Sequence, residues 1–469
     1  MSNLLKRPKA QPSLNSVGRY ERFHLTENPF PTEPVNKDSS DRRINGAIYE
    51  AEIRTKEYKQ IENAFLKQPQ SDGNHLRLGY ICDTSYIGRG NGKSAFLVNL
   101  AQKINRNYCL DISGDVNKCF AVYVTPEPGG RTKTFPAFLD LVFDAMLKSG
   151  IIDVSLAALR LEAACELYPG KDFIALAGGG DAALVEKSGT AGWWREQGVD
   201  TNQLSVKIAE NEHLQTLPGD FPLMSGGRTF LPPFITTDNL RDYYVNVARK
   251  GRAKHDFLLS HMVRVFAAAG FNGAYLLVDD FERIPDFQSG RQRKDFAIEL
   301  RSALLDGPYT NARMGFYTAL LVLHAGVPQL VNDAWSSSGL ENRYPINPKL
   351  ESGHWIAFEK LTRHHVSMLL EKYLTAYRIA DFNADSLEPF TSEAVSLIAQ
   401  INENNAAKIL QCCWNLLENA ADKEAYVEID AAFVREQSEG QGHDLTDRGP
   451  AIEDPAATDL MKKATEGQG

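Results

Sequence analysis

The chain has 469 residues, too many for one small core and enough for two or three structural units. Its hydrophobic content of 43% and charged content of 24% are those of an ordinary globular protein, and no apolar run reaches the about 20 residues that a membrane span needs. A net charge of −9 excludes a protein that coats nucleic acid with its whole surface, and leaves room only for a local basic patch.

Residues 1–26 carry Lys6, Arg7, Lys9, Arg19 and Arg22 among Pro, Ser and Asn, which predicts a flexible basic arm. The opening MSNLLKRPKAQPSLNS lacks an apolar h-region, so no secretory signal is expected. The six cysteines show no metal or redox spacing, and the chain reads as a reduced, cytosolic one. ENPFPTEP is extended, because each Pro biases its predecessor away from helix. YEAEIRTKEYKQIENAFL predicts a helix, and HLRLGYIC a buried strand.

Next stands YIGRGNGKSAF. A phosphate-binding loop follows G-x-x-x-x-G-K-[ST] between a strand and a helix. Gly92, Lys93 and Ser94 supply the last three positions, but Ile87 occupies the first and Gly88 comes one place late. Gly88, Gly90 and Gly92 keep most of the backbone freedom that lets N–H groups point inward at phosphate oxygens, with Asn91 among them. Lys93 is expected to reach the β- and γ-phosphates of ATP, and the Ser94 hydroxyl to hold Mg²⁺. AFLVNLAQKINR is apolar at helical spacing and sets a helix N-terminus behind the loop.

Further on, KCFAVYVT reads as a strand closed by PEPGG, and TFPAFLDLVFDAML as an amphipathic helix. Residues 150–235 are broken by Gly and Pro and read as an irregular, partly helical insertion, in which Trp193 and Trp194 serve either an interface or local packing. HDFLLSHMVRVFAAAGFNGAYLLVDDFERI gives a helix, a turn and a buried strand; DFAIELRSALL a helix; MGFYTALLVLHAG an apolar run. Strands alternating with helices predict an α/β core, a parallel sheet covered on both faces. Residues 355–436 are read as nearly all helical, and 437–469 as a disordered acidic tail.

The strand AYLLVDD closes on Asp279 and Asp280. An acid at that place, downstream of a GKS loop, fits the Mg²⁺-binding acid of a phosphoryl-transfer enzyme, which assigns Asp279 to the metal. The carboxylate that orients the attacking water is Asp280, with Glu282 as the alternative reach.

GRGNGKS, LLVDDFERI and FTSEAVSLIAQINENNAAKIL together resemble AAA+ ATPases. AGFNGAYLLVDDFERI, with ENPF near the start, is similar to the initiator and STAND-like branch, which includes ATP-binding proteins of BREX-type phage defence and transposon-associated ATPases. The resemblance spans roughly residues 27–435 apart from the insertion. It implies a P-loop NTPase core over 27–354 followed by an all-helical lid over 355–436. It also implies a γ-phosphate sensor at His324, or alternatively Thr318, and an arginine finger at Arg343 in LENRYPI that reaches a neighbouring subunit. A homo-oligomer is therefore expected. Where family members show G-N-x-R, this chain has Ala407 with Lys408 beside it, so a second sensor is missing or replaced. Arg131 and Lys133 in TPEPGGRTKTF stand where relatives contact DNA or partner proteins. No winged helix follows the lid, which argues against autonomous sequence-specific DNA binding. The expected function is an ATPase acting as switch or motor in a DNA-linked multiprotein system, in phage defence or mobile-element control. The alternatives are an ATP-binding module with negligible hydrolysis and a DNA-binding adaptor with a vestigial loop.

Overall fold

The computed structural model describes residues 16–67, 75–83, 90–225, 234–248, 253–324, 326–346, 353–380, 386–423 and 428–440. The chain divides into two units. One comprises Tyr58–Cys82 and Leu100–Ala357; the other comprises Met1–Glu57, Asp83–Asn99 and Phe358–Gly469.

The first unit is built on a sheet. Its strands are β1 (Leu78–Asp83), β2 (Cys119–Val124), β3 (Gly273–Val278), β4 (Tyr317–Leu323) and β5 (Trp355–Phe358), in the order β2-β3-β4-β1-β5. The β2–β3, β3–β4 and β4–β1 steps are parallel. The inner strands read as unbroken apolar runs because helices cover both faces of the sheet, leaving neither face to alternate with polar residues. Buried tyrosines keep a polar partner: Tyr275 Oη donates to the Phe65 carbonyl at 2.7 Å, and Trp335 Nε1 donates to Tyr80 Oη at 2.7 Å.

Residues 150–235 are more regular than their Gly and Pro content predicts. Ile151–Leu167, Gly180–Ser188, Ala191–Glu196 and Thr201–Ala209 are helices, and Leu156, Ala163, Trp194 and Leu204 belong to the same core as the strands. The glycines stand at helix ends, as Gly150 and Gly178 do in the left-handed conformation, and so stop helices without removing them. Trp193 and Trp194 serve local packing. Their rings meet edge-on at 4.7 Å, Phe173 lies 5.2 Å from Trp194, and Trp194 Nε1 donates to the Ser188 carbonyl.

The second unit has its own core, formed by Phe23, Leu25, Phe30, Val366, Leu370, Ile398, Ile409 and Leu416 among others. Its helices include Arg363–Ala376, Ser392–Ile401, Ala406–Ala421 and Ala431–Gly440. Two expectations change. WIAF, read as helical, is strand β5, and helix begins only after Thr362, whose side chain caps the His365 N–H at 3.2 Å. The expected arm is ordered over its described part. Ser16–Glu21 is a helix, Tyr20, Phe23 and Leu25 are buried, and Arg19 pairs with Glu418 at 2.8 Å. Apolar residues between the basic ones decide this. The rest of the arm, 1–15, and the tail from 441 lie outside the described residues. No helix among the described residues is long and apolar enough to cross a membrane.

Candidate functional site

β1 closes on Asp83, and the helix Lys93–Ile104 begins ten residues later. Ile87 and Gly88 lie outside the described residues. Gly90 and Gly92 take φ of 92° and 87°, the left-handed region that glycine enters without a Cβ clash. Their surroundings differ. A Cβ on Gly92 would meet nothing within 4 Å, whereas one on Gly90 would lie 2.5 Å from Asn405 Oδ1 and 2.9 Å from Ala407 Cβ. The Ala407 N–H donates to the Gly90 carbonyl at 2.9 Å. Asn405 in turn caps the helix Ala406–Ala421 by accepting from the Lys408 N–H. So the NNAAKIL segment, in which a second sensor is expected to be missing or replaced, sits on Gly90, with an alanine methyl against it. The Lys408 side chain is exposed.

Two buried polar groups fix the next residues. Arg54 Nη2 donates to the Asn91 carbonyl at 2.9 Å, while Nη1 reaches Glu57 at 3.0 Å and the Glu359 carbonyl at 2.9 Å. The guanidinium lies 3.8 Å over the Phe358 ring. Asn91 is 2% exposed. Its Nδ2 donates to Asp83 Oδ1 at 3.1 Å, and its Oδ1 accepts no hydrogen bond among the described residues. Lys93, in the first turn of its helix, donates to Asp83 Oδ2. Ser94 follows it, half-buried.

The acidic motif belongs to the other unit and follows β3. Asp279 comes directly after β3 and is buried. Tyr123 Oη, from β2, donates to Asp279 Oδ2 at 2.6 Å, and the Asp280 N–H donates to Oδ1 at 3.0 Å. Burial first, then the Asp279 charge, pushes the Tyr123 hydroxyl well above its usual range, so it stays a donor. Asp280 takes a positive φ of 45°, which aspartate tolerates better than most residues, and turns the chain into a short helix, Phe281–Arg283. Its carboxylate pairs with Arg283 at 2.5 Å. Burial, then Asp279 and Glu282, still raise its pKa, against the opposing pull of Arg283 and His324.

Glu282 is buried, and its Oε1 lies 2.7 Å from His324 Nε2. β3 and β4 are neighbours, with Val278 opposite Leu321, so the residue after β4 falls beside the residues after β3. The ligand atoms of Asp280, Glu282 and His324 lie within 4.8 Å of one another. Such a group can hold a cation or pass a proton.

Two other expected residues, Thr318 and Arg343, lie away from this cluster. Thr318 stands opposite Tyr275 near the start of β4, about 13 Å along the strand from Asp279, and its Oγ1 lies 2.9 Å from His75 Nε2. It is a buried hydroxyl near the far end of the strand from Asp279, whereas His324 follows the other end of β4, beside Glu282. Arg343 is exposed and precedes Tyr344, whose hydroxyl accepts from the Arg77 N–H at the start of β1. That is the opposite edge of the sheet. Arg131 is exposed and pairs with Glu127 at 3.0 Å, while the Lys133 carbonyl accepts from Gln288 at 2.7 Å.

Sequence reasoning missed Asp83, Arg54 and Tyr123. Asp83 had a signal: a charged residue closing an apolar strand just before a glycine-rich loop is costly unless paired. Arg54 and Tyr123 had none, because one sits in an ordinary charged helix and the other in an ordinary β-rich run. No family model, no curated protein and no solved structure matches the chain.

Proposed function

We propose that the chain binds ATP with Mg²⁺ and hydrolyses it, as an AAA+-type P-loop ATPase acting as a switch or motor. The observation that carries this reading is the turn that opens a helix at Lys93, behind Gly90 and Gly92 in left-handed conformations. In the other unit a buried acid, Asp279, follows β3, a strand parallel to both its neighbours. Ligands of open α/β sheets bind outside the carboxyl ends of the strands.

The residues suit the substrate. Open space around Gly92 admits a phosphate, the helix N-terminus favours negative charge, and Lys93 supplies an ammonium. Ser94 and Asp279 are assigned to Mg²⁺, which neutralises charge that develops on the phosphates. Tyr123 holds Asp279 in one orientation. Glu282, oriented by His324, is the better candidate for water activation, because Asp280 is bound to Arg283. The helices after residue 362 serve as the lid, through the contact of Ala407 with Gly90. Exposed Arg343 is assigned to a neighbouring subunit's nucleotide, which makes the working form a homo-oligomer. Arg131 and Lys133 remain the candidates for contact with DNA or a protein partner of a defence or mobile-element system.

A second reading, ATP binding with negligible hydrolysis, is favoured by one observation: Lys93 and Asp280 are both engaged in ion pairs within the chain. ATP binding and turnover, measured with Lys93→Ala and Asp279→Ala beside the unaltered chain, test the proposal. Turnover abolished in both variants supports it; binding without turnover selects the second reading.

A further inference from the structure

A phosphate-binding lysine acts as a point charge that offers three donors. Here Lys93 already serves an anion of its own chain. Its Nζ donates to Asp83 Oδ2, and the two side chains are 6% and 0% exposed. The carboxylate is held firmly. Asp83 closes β1, whose register against β4 is set from Leu78 to Cys82, and its second oxygen accepts from Asn91 at 3.1 Å. Asn91 is itself held through its carbonyl by Arg54, which Glu57, the Glu359 carbonyl and the Phe358 ring keep in place.

We propose that Asp83 sets the affinity and the ligand selectivity of this loop, as a built-in carboxylate that competes with phosphate for Lys93. The inference rests on the nucleotide-site reading above. A buried ammonium parted from its counter-ion is costly, so a ligand gains from Lys93 only if its own charge exceeds what Asp83 supplies. Polyphosphates carry that charge, and in them Mg²⁺ and the helix N-terminus add to the attraction. Inorganic phosphate and nucleoside monophosphates also exceed a carboxylate in charge, but they chelate Mg²⁺ weakly and so lack that added attraction. The loop therefore selects polyphosphate by making its lysine hard to win. Arg54 and Asn91 are positioning residues that keep the competitor aimed.

The test is equilibrium binding of ATP, AMP and inorganic phosphate, with Mg²⁺ present, to the full chain and to Asp83→Asn. The amide can keep the Asn91 contact and loses the charge. The variant should bind ATP about tenfold tighter or more, the equivalent of one favourable charge interaction released, and should acquire measurable affinity for inorganic phosphate. In a Lys93→Ala background the same change should give no gain. Melting curves check folding, and Asp83→Ser is the second variant. A third measurement needs no change at Asp83. The Lys93 Nζ resonance, identified by its loss in Lys93→Ala, should shift in the unaltered chain when ATP is added, as carboxylate gives way to phosphate. Unchanged or weaker ATP binding by a folded Asp83 variant, a gain that survives without Lys93, or a Lys93 resonance indifferent to saturating ATP each overturns the proposal. If the unaltered chain binds ATP and only the gain is missing, this inference alone falls. If no protein binds ATP, the nucleotide reading falls with it.

Discussion

His324 Nε2 lies 2.7 Å from Glu282 Oε1, although 42 residues separate them in the chain. The pairing of β3 with β4 brings them together. It makes Glu282 an oriented carboxylate, and on the proposed ATPase reading His324 acts through it on the reacting water. His324→Ala should therefore lower turnover by about 10²-fold, as loss of an acid–base relay does, while ATP affinity changes less than about twofold. Single-turnover kinetics beside equilibrium binding separates the two. Loss of affinity with turnover per bound ATP intact would make His324 a binding residue instead.

Asp280 is a carboxylate that the fold disfavours. Its pKa is raised in the folded chain, so its charge costs stability at pH values above that raised pKa, and the cost vanishes as pH falls through it. Asp280→Asn removes the charge and keeps a residue that tolerates positive φ. The variant should melt above the parent at neutral pH, and the gap should close in the acid range. Melting curves across pH test this. A gap that is independent of pH, or a lower melting temperature, would refute the assignment.

Gly90 and Gly92 share a backbone conformation and differ in surroundings. Gly92→Ala should cost only the left-handed strain of about 1–2 kcal/mol in stability, together with nucleotide affinity, because its methyl would enter the open side of the loop. Gly90→Ala should cost clearly more stability, because its methyl would collide with Asn405 and Ala407. Denaturant unfolding of both variants decides it; equal losses would mean that the Ala407 contact is unimportant.

Much of this was legible in the sequence where a local pattern carried it. GNGKS opened a helix after an apolar strand, and AYLLVDD closed a strand on Asp279, as read. What failed depended on partners remote in sequence. WIAF became β5 because β1 offered an edge. Residues 18–25 pack because Phe23 and Leu25 share a core with the helices that begin at residue 363. The insertion is helical, as read in part, and its greater regularity has a local cause, because its glycines cap helices. Asp83, the partner of Lys93, stood ten residues away in plain view, but its role needs the loop to fold back over it.

The most direct measurement is ATP binding and hydrolysis by the purified chain, beside Lys93→Ala and Asp279→Ala, with sizing of each sample with and without ATP. The account predicts that the unaltered chain binds ATP and turns it over, that both variants lose turnover, and that ATP favours a larger assembly. A chain that binds no ATP, or variants that hydrolyse it as well as the parent, would contradict the account.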